Sequence, residues 1–317
     1  MTKQKISQIV DKLSLYFALV AIFVFLAITT PAFLQPRNLL NILNQSALNM
    51  IIAIGMTLPM LLRGVDLSVG SVVALTSVLV APLFLTGNVF LMILGIVLAL
   101  AIGLGLGAIN GAAVAYLALP PFLVTFGMMQ VARGLAFVHM RGSVVNRFHD
   151  RFLFIGQGNV LGIPMAVVIA AGLVIIMGFV LKKTVIGRKI YSVGSNPSAA
   201  KYSGISIQKT TIFAFAMSGM FAAIAGIVFT ARLDAAEPII GETFAPLAIA
   251  AAAIGRTSFA GGVGNVFGTA IGALILTMIM NGLNLWLLPV HFQYFATGAI
   301  IIISVLMDRK SVRIEKE

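Results

Sequence analysis

The residues of this sequence that could act on a solute are few and stand near the ends of apolar stretches. Arg63-Gly64-Val65-Asp66 sets two opposite charges beside a glycine, just before Leu67-Ser68-Val69-Gly70-Ser71 opens a new apolar run. A carboxylate at that point can cap the helix that follows, because free N–H groups and the positive end of the dipole meet it there. If the turn interrupts a membrane helix, the same residues can instead point backbone groups at a passing solute. A second glycine-rich turn, Ala260-Gly261-Gly262-Val263-Gly264-Asn265, also precedes an apolar run. Arg133 lies inside such a run, where an unpaired guanidinium costs about 2.5 to 3.5 kcal/mol. It must face protein or water, either as a structural clasp or as a residue of a solute path. His139, His149 and His291 are scattered without metal-ligand spacing. No carboxylate pair and no nucleophile with its base falls within the apolar runs, so the chemistry expected is passage rather than catalysis.

The stretch Gly187 to Ile205 is the most informative polar segment. Asn196 is a favoured N-cap, Pro197 suits the first helical position, Ser198, Ala199, Ala200, Lys201, Tyr202 and Ser203 continue a short helix, and Gly204 can take the left-handed stop. A helix of two turns is marginal alone. It must pack on its own bundle or on a separate protein.

The elements that position these residues are membrane helices. Hydrophobic residues make up 60% of the 317 and charged residues 9%, which is more apolar surface than a water-soluble domain could bury. Spans are expected near 13-32, 47-62, 67-86, 90-116, 121-139, 163-181, 210-230, 244-257, 265-287 and 294-307, most of them near the ~20 residues a helix needs to cross a bilayer. A barrel would show alternating segments of about ten residues instead. The fold expected is all-α, a polytopic membrane helical bundle of about ten transmembrane helices. Lys3, Lys5 and Lys12 precede the first span, but no small-residue cleavage site follows it, so it reads as a retained helix. There is no cysteine, hence no disulfide or thiolate metal site.

The net charge of +12 does not point to nucleic acid, because the basic residues collect at the N-terminus, between Lys182 and Lys209, and in Arg309, Lys310, Arg313 and Lys316. That is how the positive-inside rule marks cytoplasmic segments. Both termini and 182-209 are therefore expected inside, with 142-162 outside. The outer loop carrying Asp234, Glu237 and Glu242 is acidic and could dock an external partner. Trp286 and Tyr294 fit the interfacial belt. Gly103, Gly105, Gly107 and Gly111, with Gly268 and Gly272, suit close helix packing.

The halves of the chain, about 47-140 and 244-307, hold a short internal match. Ala53-Ile54-Gly55-Met56-Thr57 resembles Ala253-Ile254-Gly255-Arg256-Thr257, and Gly64 to Ser71 resembles Gly262 to Thr269. The copies share an orientation, as parallel repeats do.

Four segments in order, Gly55-Met56-Thr57, Gly64 to Ser71, Gly187 to Ile205 and Ala260 to Gly264 with Gly268-Thr269, resemble those of the permease subunits of bacterial ATP-binding-cassette importers for ribose, xylose, arabinose, galactosides and autoinducer-2. The resemblance runs from about Phe33 to Asp308. It implies a single transmembrane permease domain over 1-317 in the cell inner membrane. Its partners would be a second permease chain, a cytoplasmic ATPase and a periplasmic sugar-binding protein. ATP and Mg would sit on the ATPase, and this chain, which has no phosphate-binding loop motif, would carry no cofactor of its own. Carried onto this sequence, Asn196 to Gly204 would be the coupling helix. Candidates for the path or gate are Arg63, Gly64, Asp66, Ser68, Gly70, Arg133, Arg256, Gly261, Gly262, Gly264 and Asn265. Members usually read Ile-Gly-Gly-Thr where this chain has Ile254-Gly255-Arg256-Thr257. Arg256 could border the inner gate, pair with Asp66, or snorkel to the interface. A secondary carrier or channel, which would need ion-coupling residues at membrane depth, and a branched-chain amino-acid permease are the competing readings.

Overall fold

The computed structural model describes residues 3-141 and 143-314, and side-chain surroundings within 13-306. The basic side chains of Lys3, Lys5, Lys12, Arg309, Lys310, Arg313 and Lys316, and Gly142 at the start of the expected outer loop, lie outside those described.

The chain is an all-α membrane bundle. Its helices are α1 (Lys3–Thr29), α2 (Pro36–Leu61), α3 (Val69–Val80, continued by a 3-10 turn to Phe84), α4 (Val89–Tyr116), α5 (Pro121–Met140), α6 (Asp150–Gln157), α7 (Met165–Lys183), α8 (Val185–Ser195), α9 (Pro197–Tyr202), α10 (Ile207–Leu233), α11 (Phe244–Ile254), α12 (Val266–Leu285) and α13 (Val290–Ile314). Four two-residue strands, β1 (Val145–Asn146), β2 (Asn159–Val160), β3 (Ile163–Pro164) and β4 (Ala235–Ala236), pair as β1 with β4 and β2 with β3, both antiparallel. Among the described residues, α2, α4, α5, α7, α10 and α12 are long and apolar enough to cross a membrane, and the apolar parts of α1, α3, α11 and α13 are shorter.

Small residues set the tightest pairing, as lipid supplies no hydrophobic drive for helix association. A Cβ on Gly103 would lie 2.4 Å from the Gly219 carbonyl oxygen, and one on Gly107 2.1 Å from that of Phe215. With Gly111 against Ile212, these positions at intervals of four make one stripe of α4 that lies on α10. Gly105 is off the stripe and meets nothing within 4 Å, so its expected packing role does not hold.

A polar seam joins α2 to α12. Asn38 and Asn281 exchange hydrogen bonds of 3.1 and 2.8 Å, the Asn49 amide donates to the Thr277 hydroxyl at 2.9 Å, and the Thr57 and Thr269 hydroxyls meet at 2.9 Å. Interhelical bonds of this kind contribute about 0.6 kcal/mol each in membranes, and they fix the register of two helices whose apolar surfaces could slide.

Two elements are shorter than the full bilayer. At about 1.5 Å per residue, α11 rises roughly 16 Å, about half of a ~30 Å hydrocarbon core, and α3 rises roughly 18 Å, or about 26 Å with its 3-10 turn. The segment 244-257, expected as a span, is thus a half-helix entered by an irregular stretch, 237-243. The 62-68 stretch enters α3 in the same manner. The stretches meet where Gly70, at the start of α3, faces Gly241: a Cβ on Gly70 would stand 2.0 Å from the Gly241 oxygen, and Gly241 has φ +82°. Non-helical backbone at depth is tolerated when buried in protein or lining a cavity.

Candidate functional site

The segment 196-204 folds as its residues predict, with one addition. The Asn196 side chain accepts from the Ala199 N–H at 3.0 Å, Pro197 opens α9, and Gly204 (φ +76°) ends it. The Gly204 N–H reaches the Lys201 carbonyl and that of Ile205 the Ala200 carbonyl, both at 3.0 Å, which is the paired closure of a left-handed stop. The addition is α8. Thr184 caps it by accepting from the Gly187 N–H at 3.3 Å, and Gly187, Ile190, Val193 and Gly194 form its buried face. α9 packs on α8 and α10 through Ala200, 4% exposed, while Tyr202 is 92% exposed.

α8 ends against both interrupted-helix turns. Arg63 Nε donates to the Gly194 carbonyl at 2.9 Å and its Nη2 to that of Ser195 at 2.7 Å. The Tyr191 hydroxyl donates to the Gly264 carbonyl at 2.7 Å, and burial pushes this phenol above its ordinary pKa, so it remains a donor. The Gly262 N–H donates to the Leu61 carbonyl at 2.9 Å, closing the triangle. A Cβ on Gly194 would stand 1.9 Å from the Leu61 oxygen, and one on Gly261 2.5 Å from Arg63 Cγ. Arg63, Gly261, Gly262 and Gly264 therefore form one junction with α8. Asn265 adjoins it as the N-cap of α12, accepting from the Gly268 N–H at 2.7 Å. A guanidinium bonded to two carbonyls transmits displacement better than apolar contact, since such charge-assisted bonds are short and directional.

A deeper cluster surrounds Asp66. Its Oδ1 accepts from the Ser68 N–H at 3.0 Å and the Ser68 hydroxyl at 2.6 Å, and Asn110 donates to Ser68 Oγ at 3.0 Å. The expected helix cap is corrected: α3 begins at Val69 with Ser68 in the cap position, so Asp66 lies too early to reach the first turn and closes the turn before it. Ser218 of α10 neighbours the carboxylate, yet Ser218 Oγ, Asp66 Oδ2 and Asn110 Oδ1 are buried without a hydrogen bond of ordinary geometry. Gly64 packs under Phe215 and Pro121.

Arg133 has the geometry of a clasp. Its Nη1 donates to the carbonyls of Pro238 and, at 2.8 Å, Ile240, with Glu242 close enough to act on its charge. It thereby holds the stretch whose Gly241 lies on Gly70. At the neighbouring loop, Asp234 accepts from the Phe148 N–H at 2.8 Å, so one of the acidic groups expected to face a partner is engaged within the chain.

Arg256 goes elsewhere. It donates to the Ser14 hydroxyl of α1 and is exposed, while Asp66 is fully buried among Ser68 and Asn110, so the two do not pair. Arg256 (φ +68°) and Arg63 (φ +65°) occupy the same local position, the left-handed residue after α11 and α2 respectively. The N–H groups of Arg63 and Gly64 return to Met60 and Pro59, and those of Arg256 and Thr257 to Ala253 and Ala252. This equivalence departs from the sequence match, which set Gly55, in mid-helix, against Gly255, at a helix end. Thr57 and Thr257 nonetheless converge on Thr269, at 2.9 and 3.3 Å. The α2–α12 seam and the α8 junction escaped sequence reasoning. The recurrence of Asn38, Asn49 and Thr57 along one helix was the available signal for the seam.

A family model described as the permease component of a branched-chain amino acid transport system matches residues 38-305. The ribose import permease RbsC of Haemophilus influenzae is 39% identical over 92% of this chain and 91% of its own length, and that of Bacillus subtilis 38% over 95% and 94%. The D-allose transport permease AlsC of Escherichia coli is 38% identical over 94% and 92%. No solved structure matches. Matched by that model over most of its length, and by these relatives nearly end to end, the chain belongs to the family of transport-system permease components that includes the ribose and allose permeases.

Proposed function

We propose that this chain is the membrane subunit of an ATP-driven importer that carries a pentose, hexose or related furanosyl sugar delivered by a periplasmic binding protein. The observation that carries the reading is the short double-capped helix α9, which presents Tyr202 outward and is tied through α8 to both interrupted-helix turns. A cytoplasmic ATPase pressing on α9 would move α8, and α8 would move the ends of α2 and the start of α12. Two such chains, identical or related, would enclose the path between them. ATP and Mg would be held by the ATPase, and this chain would act without a cofactor.

The bundle would have ten membrane-crossing elements, six of full length and four shorter or broken, with both termini and α8–α9 in the cytoplasm and β1–β4 outside, in the cytoplasmic membrane. The like-built ends of α2 and α11 support a relation between two halves. Arg63, the glycines 261, 262 and 264, and Asn265 would form the inner gate, and Gly70, held against Gly241 by Arg133, a constriction nearer mid-membrane. Asp66 and Ser68, with Gly64, would brace the α3 turn, and Arg256 would stand at the gate's rim. The sugar cargo rests on relatives named for ribose and allose. The description of the matching family supports a second cargo, branched-chain amino acids.

The test is reconstitution in liposomes with the ATPase and candidate binding proteins. ATP hydrolysis and uptake stimulated by a binding protein loaded with ribose or allose are the expected result. Stimulation by a leucine-loaded protein alone would move the assignment to amino acids, and solute equilibration by the permease without ATP would replace it with a carrier or channel.

A further inference from the structure

A cleft of about 520 Å³ opens between the end of α7, α8 and the start of α12. Its lining combines two cations, Lys182 and Arg188, and Ser192 with the apolar residues Gly178, Leu181 and Phe267. Both cations are exposed, and among the described residues neither side chain makes a hydrogen bond or ion pair. The stretch from Lys182 to Lys209 holds six basic residues and no Asp or Glu, so the segment has no carboxylate of its own to neutralise them. The apolar residues belong to the ends of two membrane helices. The Phe267 ring, 49% exposed, lies so close on Gly178 that a Cβ there would be 2.6 Å from it.

We propose that this cleft binds the headgroup of an anionic phospholipid, its phosphate between Lys182 and Arg188 and an acyl chain along Phe267 and Leu181. Basic pockets between helices on the cytoplasmic side suit such headgroups. The mixed lining favours a lipid over an acidic face of a partner protein, which would answer the cations and leave the apolar residues uncovered. The placement rests on the reading of α8 and α9 as cytoplasmic. Tyr191 and Asn265 also line the cleft, so an occupant touches the junction that joins α8 to the second glycine-rich turn.

The test needs neither ATPase nor transport. The single tryptophan is moved by Trp286→Phe with Phe267→Trp, and the protein is placed in mixed vesicles of brominated phosphatidylglycerol or brominated phosphatidylcholine. Preferential quenching by phosphatidylglycerol, reflecting an affinity preference of roughly thirtyfold for two basic side chains at the surface, is expected. It is expected to vanish in Lys182→Gln/Arg188→Gln and to persist in Arg141→Gln/Arg151→Gln, at the opposite end. Equal quenching by the two lipids, a preference unmoved by the cleft variant, or its loss to millimolar inorganic phosphate would overturn the proposal. Native mass spectrometry of the unmodified chain, counting retained phosphatidylglycerol, repeats the comparison without the reporter. If only the importer reading fails, through no response to any ATPase, these lipid results stand unchanged.

Discussion

Asp66 is a buried carboxylate whose value lies in one oxygen. Oδ1 satisfies the Ser68 N–H and hydroxyl, while Oδ2 has only Ser218 nearby and no hydrogen bond of ordinary geometry. Asp66→Ala strands two donors and should lower stability by about 1 to 3 kcal/mol. Asp66→Asn keeps the acceptor and adds an amide that can donate to Ser218 Oγ, and it should unfold within about 1 kcal/mol of the parent or above it. Thermal unfolding in detergent separates the two; equal losses would mean that the carboxylate's charge matters. Arg133 is the second decisive residue. Its Nη1 answers two carbonyls with N–H bonds fixed in the plane of the guanidinium, an orientation that a lysine's rotating ammonium does not fix. Arg133→Lys should keep the fold and reduce uptake severalfold through a looser Gly70–Gly241 contact, and Arg133→Met should lower the unfolding temperature as well. An uptake loss that is equal in both variants, without any stability difference, would favour a direct role toward the solute.

At the scale of elements, α9 divides its faces sharply. Ala200 is 4% exposed beneath the helix and Tyr202 92% exposed above it. Ala200→Asp would bury a charge and damage the permease itself, whereas Tyr202→Ala should leave its unfolding temperature unchanged and weaken ATPase binding about tenfold, as loss of an exposed aromatic anchor does. Co-purification and thermal unfolding, read together, check both. The caps of α9 were legible because capping is local: Asn196, Pro197 and Gly204 act within a few residues. The apolar runs of the long helices were legible for a like reason, since the bilayer sets their length. What the sequence hid depends on partners far along the chain. Nothing local starts α11 only at Phe244 or α3 only at Val69; the Gly70–Gly241 approach and the Arg133 clasp determine where backbone enters the helix. Gly105 looked like its neighbours 103 and 107, and only the direction of its Cβ separates it from their stripe.

Across the whole molecule, the α8 junction makes a demand that one substitution can isolate. Arg63 sits in the left-handed region, which costs a non-glycine residue about 1 to 2 kcal/mol, and it is retained there with two charge-assisted bonds to the end of α8. Arg63→Gly removes the conformational cost and the bonds together. The turn after α2 should remain, because its closure runs through backbone N–H groups to Met60 and Pro59, and the unfolding temperature should hold or rise slightly. The link between α8 and α2 should not remain. If motion at α9 reaches the membrane helices through this junction, the variant assembled with its ATPase should keep basal ATP hydrolysis. Its stimulation by a loaded binding protein should fall by a factor of roughly 5 to 150, the range of ordinary coupling free energies. Tyr191→Phe, which cuts only the bond to Gly264, should give a smaller loss in the same direction. Full stimulation in both variants would place transmission outside the junction, along the direct packing of α9 on α10, and the two interrupted helices would then follow α10 rather than lead it.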